Sequence, residues 1–279
     1  MLRGFYTAAS GMLSQQRRTE MLTNNISNAN TPGYKADQSS MRAFPKMLLS
    51  RMESENIPTS KGLTLPRNTK IGDISTGVYM QEAMPNFRQG DITQTERSTD
   101  IALLDGAMPL DPETGRPGTA LFTVSDGSGE VRYTRNGNFT LDAAGFLTEP
   151  SGNYVLDAAG NRIQLESENF TVSEDGVISE GNGESARLGI AFAADPYRLV
   201  KEGDGLFRAE AGQDIQSAYG QNGVEFKLQQ GSIEQSTVDP AKTMTDMMTA
   251  YRAFEANQKV LQAYDKSMDK AVNEIGRIG

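Results

Sequence analysis

The chain has 279 residues, a formal net charge of -9, and neither cysteine nor histidine. That length can bury one large β-rich domain or two smaller ones. Without Cys or His there are no disulfides, thiolate nucleophiles, imidazole bases or usual zinc, copper and haem ligands, so catalysis would rest on carboxylates and no cofactor or metal is expected.

The charge is uneven along the chain. Residues 1–35 hold Arg3, Arg17, Arg18 and Lys35 against Glu20, residues 241–279 hold six basic against five acidic side chains, and the segment between them carries a net -13. Basic ends that associate around a solvated acidic body fit this division, and so does an acidic domain with ordinary helices attached. Arg3 and Gly4 interrupt the first ten residues and no apolar signal core follows, while the apolar stretch Leu188–Ala194 is too short to cross a bilayer. The expectation is therefore no membrane insertion and, if the chain leaves the cell, passage without a cleaved signal peptide.

From Leu2 to about Asn28 there is no Pro, and Leu2, Phe5, Ala9, Met12, Gln16, Thr19 and Ile26 recur at 3-4 spacing, which predicts a helix. Four Asn between Asn24 and Asn30 are poor helix formers and predict fraying before Thr31-Pro32-Gly33 stops the helix. Residues 36–70, with Ser54, Pro58, Ser60, Gly62 and Pro66, have no clear period and read as an extended or mobile connector.

Further on, β-type runs such as Leu121–Val124 and Phe139–Leu141 alternate with the turn signals Asp126-Gly127, Asn136-Gly137 and Asp175-Gly176. They predict a compact, mostly antiparallel body over residues 100–215. Leu141–Gly145 recurs as Leu156–Gly160, which predicts two similar turns. A second echo, Gln89–Thr95 against Gln230–Ser236, brackets the body and predicts that the strands leading in and out of it pair or lie side by side as a connecting β-element.

Asp239-Pro240 is a helix start signal, and no Pro or Gly follows until Gly276. Met244, Met247, Tyr251, Phe254, Gln258, Leu261, Asp265, Met268, Val272 and Ile275 keep a strict 3-4 alternation. A helix of that length extends roughly 50 Å, and its narrow seam calls for another helix, in the same chain or in a neighbouring one.

No chemistry emerges from the remaining residues. Glu166, Glu168, Glu174 and Asp175 read as a solvated acidic face, and Ala143, Ala144, Ala158 and Ala159 occupy positions where a calcium loop needs oxygen ligands. There is no Walker-type loop, Gly181-Asn182-Gly183 lacks the third glycine of a dinucleotide site, and the acidic body disfavours nucleic acid. A carbohydrate-active or matrix-binding β-protein on a helical stalk is the alternative from another functional class.

Ser10-Gly11-Met12 with Asn24–Lys35 resembles the N-terminal signature of the flagellar rod and hook proteins, and Gln230–Asp239 with Ala250–Lys259, Gln262 and Asp265 resembles their C-terminal one. The likeness continues through Ile71-Gly72, Gly77-Val78, Gln89-Gly90, Thr95, Tyr133–Phe139 and Leu141-Asp142, and the chain length is closest to the distal-rod branch. The resemblance implies a non-enzymatic structural subunit of the basal-body rod, required for motility. It implies export by the flagellar type III apparatus, and self-association, together with other rod and hook proteins, into the tube that transmits torque. A proximal rod or hook subunit is the alternative within the family.

The expected architecture is mainly β with α-helical termini. It comprises an N-terminal helical assembly segment (1–35), a connector with short strands (36–99), a β-rich body (100–215), a returning β-element (216–238) and a C-terminal coiled-coil helix (239–279). The expected assembly residues are Phe5, Met12 and Ile26 at one end and Met244, Met247, Tyr251, Phe254, Leu261 and Met268 at the other.

Overall fold

A computed structural model describes residues 2–57, 63–181, 183–210 and 215–275. The chain is mostly antiparallel sheet with one long helix near each end, and it divides into two compact units. One unit comprises residues 1–23, 39–83 and 241–279, and the other residues 24–38 and 84–240.

The first unit contains most of both helices, α1 (Leu2–Ser27) and α2 (Pro240–Lys270), the latter followed by a wider π-helical turn, Ala271–Ile275. It also holds two β-ribbons, Met41–Ala43 with Val78–Met80 and the much longer Met47–Ile57 with Leu63–Ile74. The long ribbon gives the extended alternative for this stretch a paired form, with strands longer than the short ones expected. It carries no readable alternation because its register shifts between Leu49 and Ser50, and because a two-stranded ribbon need not bury a single face.

The second unit is built around the strand Thr119–Ser125. One edge of this strand pairs with Val131–Thr134, and the other with Ile190–Ala193 and then Tyr154–Val155. Leu206–Ala209 and Leu199–Lys201 extend the first side, while Leu147–Thr148 and Thr140–Leu141 extend the second. Both faces of the central strand are covered. Ala120, Phe122 and Val124 enter a cluster with Phe139, Leu147, Val155, Ile178 and Leu188, whereas Leu121 packs with Phe87, Leu199 and Phe207. Such a strand must be apolar on consecutive residues rather than alternate ones, as Leu121-Phe122-Thr123-Val124 is.

The repeated Asp turns form as expected. Asp142 Oδ1 accepts hydrogen bonds from the backbone N–H groups of Ala144 and Phe146, and Asp157 Oδ1 from those of Ala159 and Asn161. Asp126 makes the same loop with Ser128 and Glu130, a third copy. Asn136-Gly137, in contrast, is not a hairpin turn: the Gly137 carbonyl accepts from Ile101 N–H at 2.9 Å as the chain passes from one strand to the next.

The connecting element is a pair of short ladders. Ile92–Gln94 pairs antiparallel with Ser232–Glu234, and Ile101–Asp105 pairs with Phe226–Gln230. The sequence echo is thus matched by strands that face each other, with Gln94 opposite Ser232.

Candidate assembly site

The two helices run antiparallel within the first unit. Tyr264 lies over Gly4, Asn257 over Gly11, and the Thr23 hydroxyl is 3.7 Å from the Met247 sulfur. Gly4 and Gly11 are seven residues apart, as are Asn257 and Tyr264, so each α2 side chain enters a gap that the missing Cβ of α1 leaves open. Arg18 and Asp246 add a 3.8 Å ion pair at the partly exposed edge.

A different stripe of α1 holds the short ribbon. Ser10 Oγ accepts from Val78 N–H at 3.3 Å, Ser14 Oγ lies 3.1 Å from the Val78 carbonyl, and Thr7 Oγ1 lies 3.1 Å from that of Thr76. Residues 7, 10 and 14 are spaced at 3 and 4, so one polar face of the helix meets the strand backbone.

The buried seam of α2 differs from the periodic one in alternate positions. Thr243, Met247, Ala250, Phe254, Asn257, Leu261, Tyr264 and Met268 are buried or half-buried, whereas Met244, Tyr251, Gln258 and Asp265 are exposed. Both series obey a 3-4 rule and share Met247, Phe254, Leu261 and Met268. The inward members Thr243, Ala250 and Asn257 are small or polar, which suits the close glycine face of α1 but hides the register from a hydrophobicity pattern. On α1, Phe5, Met12 and Ile26 are half-buried, while Ala8, Ser14, Leu22 and Asn25 are deepest and Gln16 is exposed.

Large apolar side chains stand among the charged and polar residues left exposed on the helices. Tyr6 and Leu13 on α1, and Met244, Met248, Tyr251 and Val260 on α2, are exposed by between 44 and 63 %. The long ribbon adds Met47, Leu48 and Ile71. Most of the exposed large apolar side chains among the described residues belong to this unit, and concentrated exposure of this kind marks an interaction surface. No described helix is long and apolar enough to cross a membrane.

In the second unit, the C-terminal end of α1 does not fray. Asn25 is buried, its amide nitrogen donates to the Asp37 carbonyl at 2.9 Å, and its oxygen accepts from Asp37 N–H at 2.9 Å. Tyr34 Oη reaches Asn24 Oδ1 at 2.7 Å. The asparagines are poor helix formers because their side chains seek backbone partners, and here the partners lie in the next turn of chain. Gly33 has φ +67, and a Cβ there would collide with the Arg135 backbone.

Behind this turn lies a sealed ionic cluster that the sequence reading did not assign. Glu234 Oε1 is 2.6 Å from Lys35 Nζ, and Oε2 is 2.6 Å from Arg135 Nε. Arg135 Nη1 meets Asp105 at 2.9 Å, Arg135 Nη2 donates to the Leu103 carbonyl at 2.7 Å, and Gly90 N–H donates to Glu234 Oε1 at 2.7 Å. Burial, reinforced by the Arg135 charge, holds the Lys35 ammonium below its usual range despite Glu234. Burial alone would raise the Glu234 carboxyl, but Arg135 and Lys35 outweigh it and hold it below 4.5. Burial would likewise lower Arg135, yet Asp105 and Glu234 push it up. The cluster fastens the segment after α1 and the strand before α2 to the body, a positioning role rather than a chemical one.

Residues 5–35 match the flagella basal body rod protein family, residues 117–180 the flagellar hook protein FlgE/F/G D1 domain, and residues 229–274 the flagellar basal body rod FlgEFG protein C-terminal region. The chain is 47 % identical to the flagellar hook-basal body complex protein FlhO of Bacillus subtilis, over all of both chains. It is 29 % identical to the flagellar basal-body rod protein FlgG of Borreliella burgdorferi, with 98 % of each chain covered. It is 28 % identical to the basal-body rod protein FlgF of Caulobacter vibrioides, over all of both chains. The terminal matches fall on the helices and the ladder, the central match falls on the sheet, and the chain belongs to the flagellar basal-body rod and hook protein family of structural proteins.

Proposed function

We propose that this chain is a distal-rod subunit that polymerises through its terminal helices into the axial tube transmitting torque, and that motility requires it. The observation that carries this reading is the exposed apolar stripe of the helix pair, with Tyr6, Leu13, Met244, Met248 and Tyr251 left uncovered within one chain. A heterologous contact repeated along such a stripe builds an open filament. Phe5, Met12, Ile26, Met247, Phe254, Leu261 and Met268, half-buried in the single chain, then lie beneath the subunit contacts, and Met244 and Tyr251 lie in them.

In this reading residues 1–35 and 239–279 are the assembly segments, 36–99 the connector, 100–215 the body and 216–238 its return. The subunit reaches its place in the basal body through the flagellar type III apparatus, associates with copies of itself and with other rod and hook proteins, and catalyses nothing. The names of FlgG and FlhO support a rod or hook-basal body position. Deleting residues 2–30 or 245–279 in a motile host tests the proposal. Loss of motility and of basal-body incorporation, with the soluble body intact, is expected; normal swimming rejects it. Matches to both rod-protein and hook-protein regions keep a proximal rod or hook subunit as the second reading, which immuno-electron microscopy of isolated basal bodies distinguishes.

A further inference from the structure

The second unit carries a cleft of about 390 Å³ between the loop after Asp105 and the turn at Tyr197. Phe87, Met108, Pro117 and Tyr197 line it, and Arg88 and Arg116 stand beside them. The Arg116 guanidinium sits 4.3 Å above the centre of the Tyr197 ring, and Tyr197 in turn meets Phe87 edge-on at 5.8 Å. Asp105 also lines the cleft but its carboxylate is engaged by Arg135 at 2.9 Å, so the two exposed cations over the aromatic floor leave an excess of positive charge in an otherwise acidic unit.

The same loop projects a feature of opposite character. Leu110 is 63 % exposed and is followed by Asp111, Pro112 and Glu113. The turn is rigid: Asp111 Oδ1 accepts from the N–H groups of Glu113 and Thr114, both at 2.8 Å, and Asp111 N–H donates to the Arg116 carbonyl at 2.8 Å. A protruding leucine followed by two acids, pre-ordered without a role in the core, loses little entropy on docking. Its apolar tip and negative charge complement the recess in size class and sign.

We propose that the cleft of one subunit receives the Leu110–Glu113 turn of a second copy of this chain, a contact between bodies in addition to the helical one. The inference rests on the proposed polymerising function. The test is charge exchange in the full chain, expressed in a motile host lacking its own copy, reading the fraction of chain that co-isolates with basal bodies and the melting of the purified monomer. Glu113→Arg and Arg116→Glu should each lower incorporation about fivefold, the scale of one lost rim pair, with the monomer melt unchanged. The double variant, which restores opposite charges between copies, should return to within about twofold of the unaltered chain. Where a reversal lowers the monomer melt, Glu113→Gln and Arg116→Gln carry the same comparison. Single variants that incorporate normally, or a double variant as poor as either single, overturn the contact while leaving the helical assembly standing. An unaltered chain that fails to co-isolate overturns the function itself.

Discussion

Lys35 and Glu234, 199 positions apart, share a 2.6 Å ion pair that solvent does not reach. Removing one partner of such a pair leaves uncompensated buried charge, so Glu234→Gln should destabilise the second unit by about 3–5 kcal/mol in chemical denaturation. Because Glu234 also meets the buried Arg135, a Glu234→Gln denaturation midpoint equal to that of the unaltered chain would contradict this account.

The same carboxylate sets an acid sensitivity. Its folded value lies below the ordinary 4.5, so as pH falls the unfolded chain takes up the proton first. Its stabilising contribution is fully present above that value and is lost as pH falls through the folded one. The melting temperature of the unaltered protein should therefore fall more steeply than that of Glu234→Gln as the pH is taken down through 4.5 and below.

Gly4 offers a sign reversal. Alanine normally stabilises a helix interior by about 1 kcal/mol over glycine, but here its methyl would enter the space of the Tyr264 hydroxyl. Gly4→Ala should lower the thermal stability of the helices in the unaltered chain and raise it in a Tyr264→Ala background. Circular dichroism melts that show the same sign in both backgrounds would disprove the contact.

Asn25 both donates to and accepts from the backbone of Asp37. Asn25→Ala strands the partly buried N–H and carbonyl of Asp37, a cost of roughly 2 kcal/mol at about 1 per group. Asn25→Asp should be worse, since it sets a carboxylate against the Asp37 carbonyl. Faster amide exchange over residues 24–38 in both variants is the expected observation.

Met248 and Tyr251 are exposed in the single chain, so their replacement by Ser should leave monomer stability within about 0.5 kcal/mol. Under the proposed function the same pair of substitutions lowers basal-body incorporation. A variant that incorporates normally would remove this stripe from the assembly surface.

Both helices were legible because each carries a 3-4 period bounded by proline and glycine signals, and the ladder was legible because its two strands echo each other around the body. The ribbon of Met47–Ile57 with Leu63–Ile74 was not, since a two-stranded ribbon need not alternate in sequence. The inward register of α2 escaped because Thr243, Ala250 and Asn257 look like surface residues until the glycines opposite them are seen. The ionic cluster escaped for another reason. Lys35, Asp105, Arg135 and Glu234 come from four distant segments, and nothing local distinguishes a buried charge from the many solvated ones. The only trace was their position inside or beside motifs poor in charge, such as Gln230–Ser236, where Glu234 is the sole ionisable residue.

Because Gln94 and Ser232 face each other across one ladder, the chain departs for the body and comes back at neighbouring points. Topologically, everything from residue 95 to residue 231 is a loop closed at its neck. Such a loop can be lengthened, shortened or exchanged without moving the ends that enter and leave it, so a single pair of helices can serve subunits whose outer bulk differs, as interchangeable heads fit one handle.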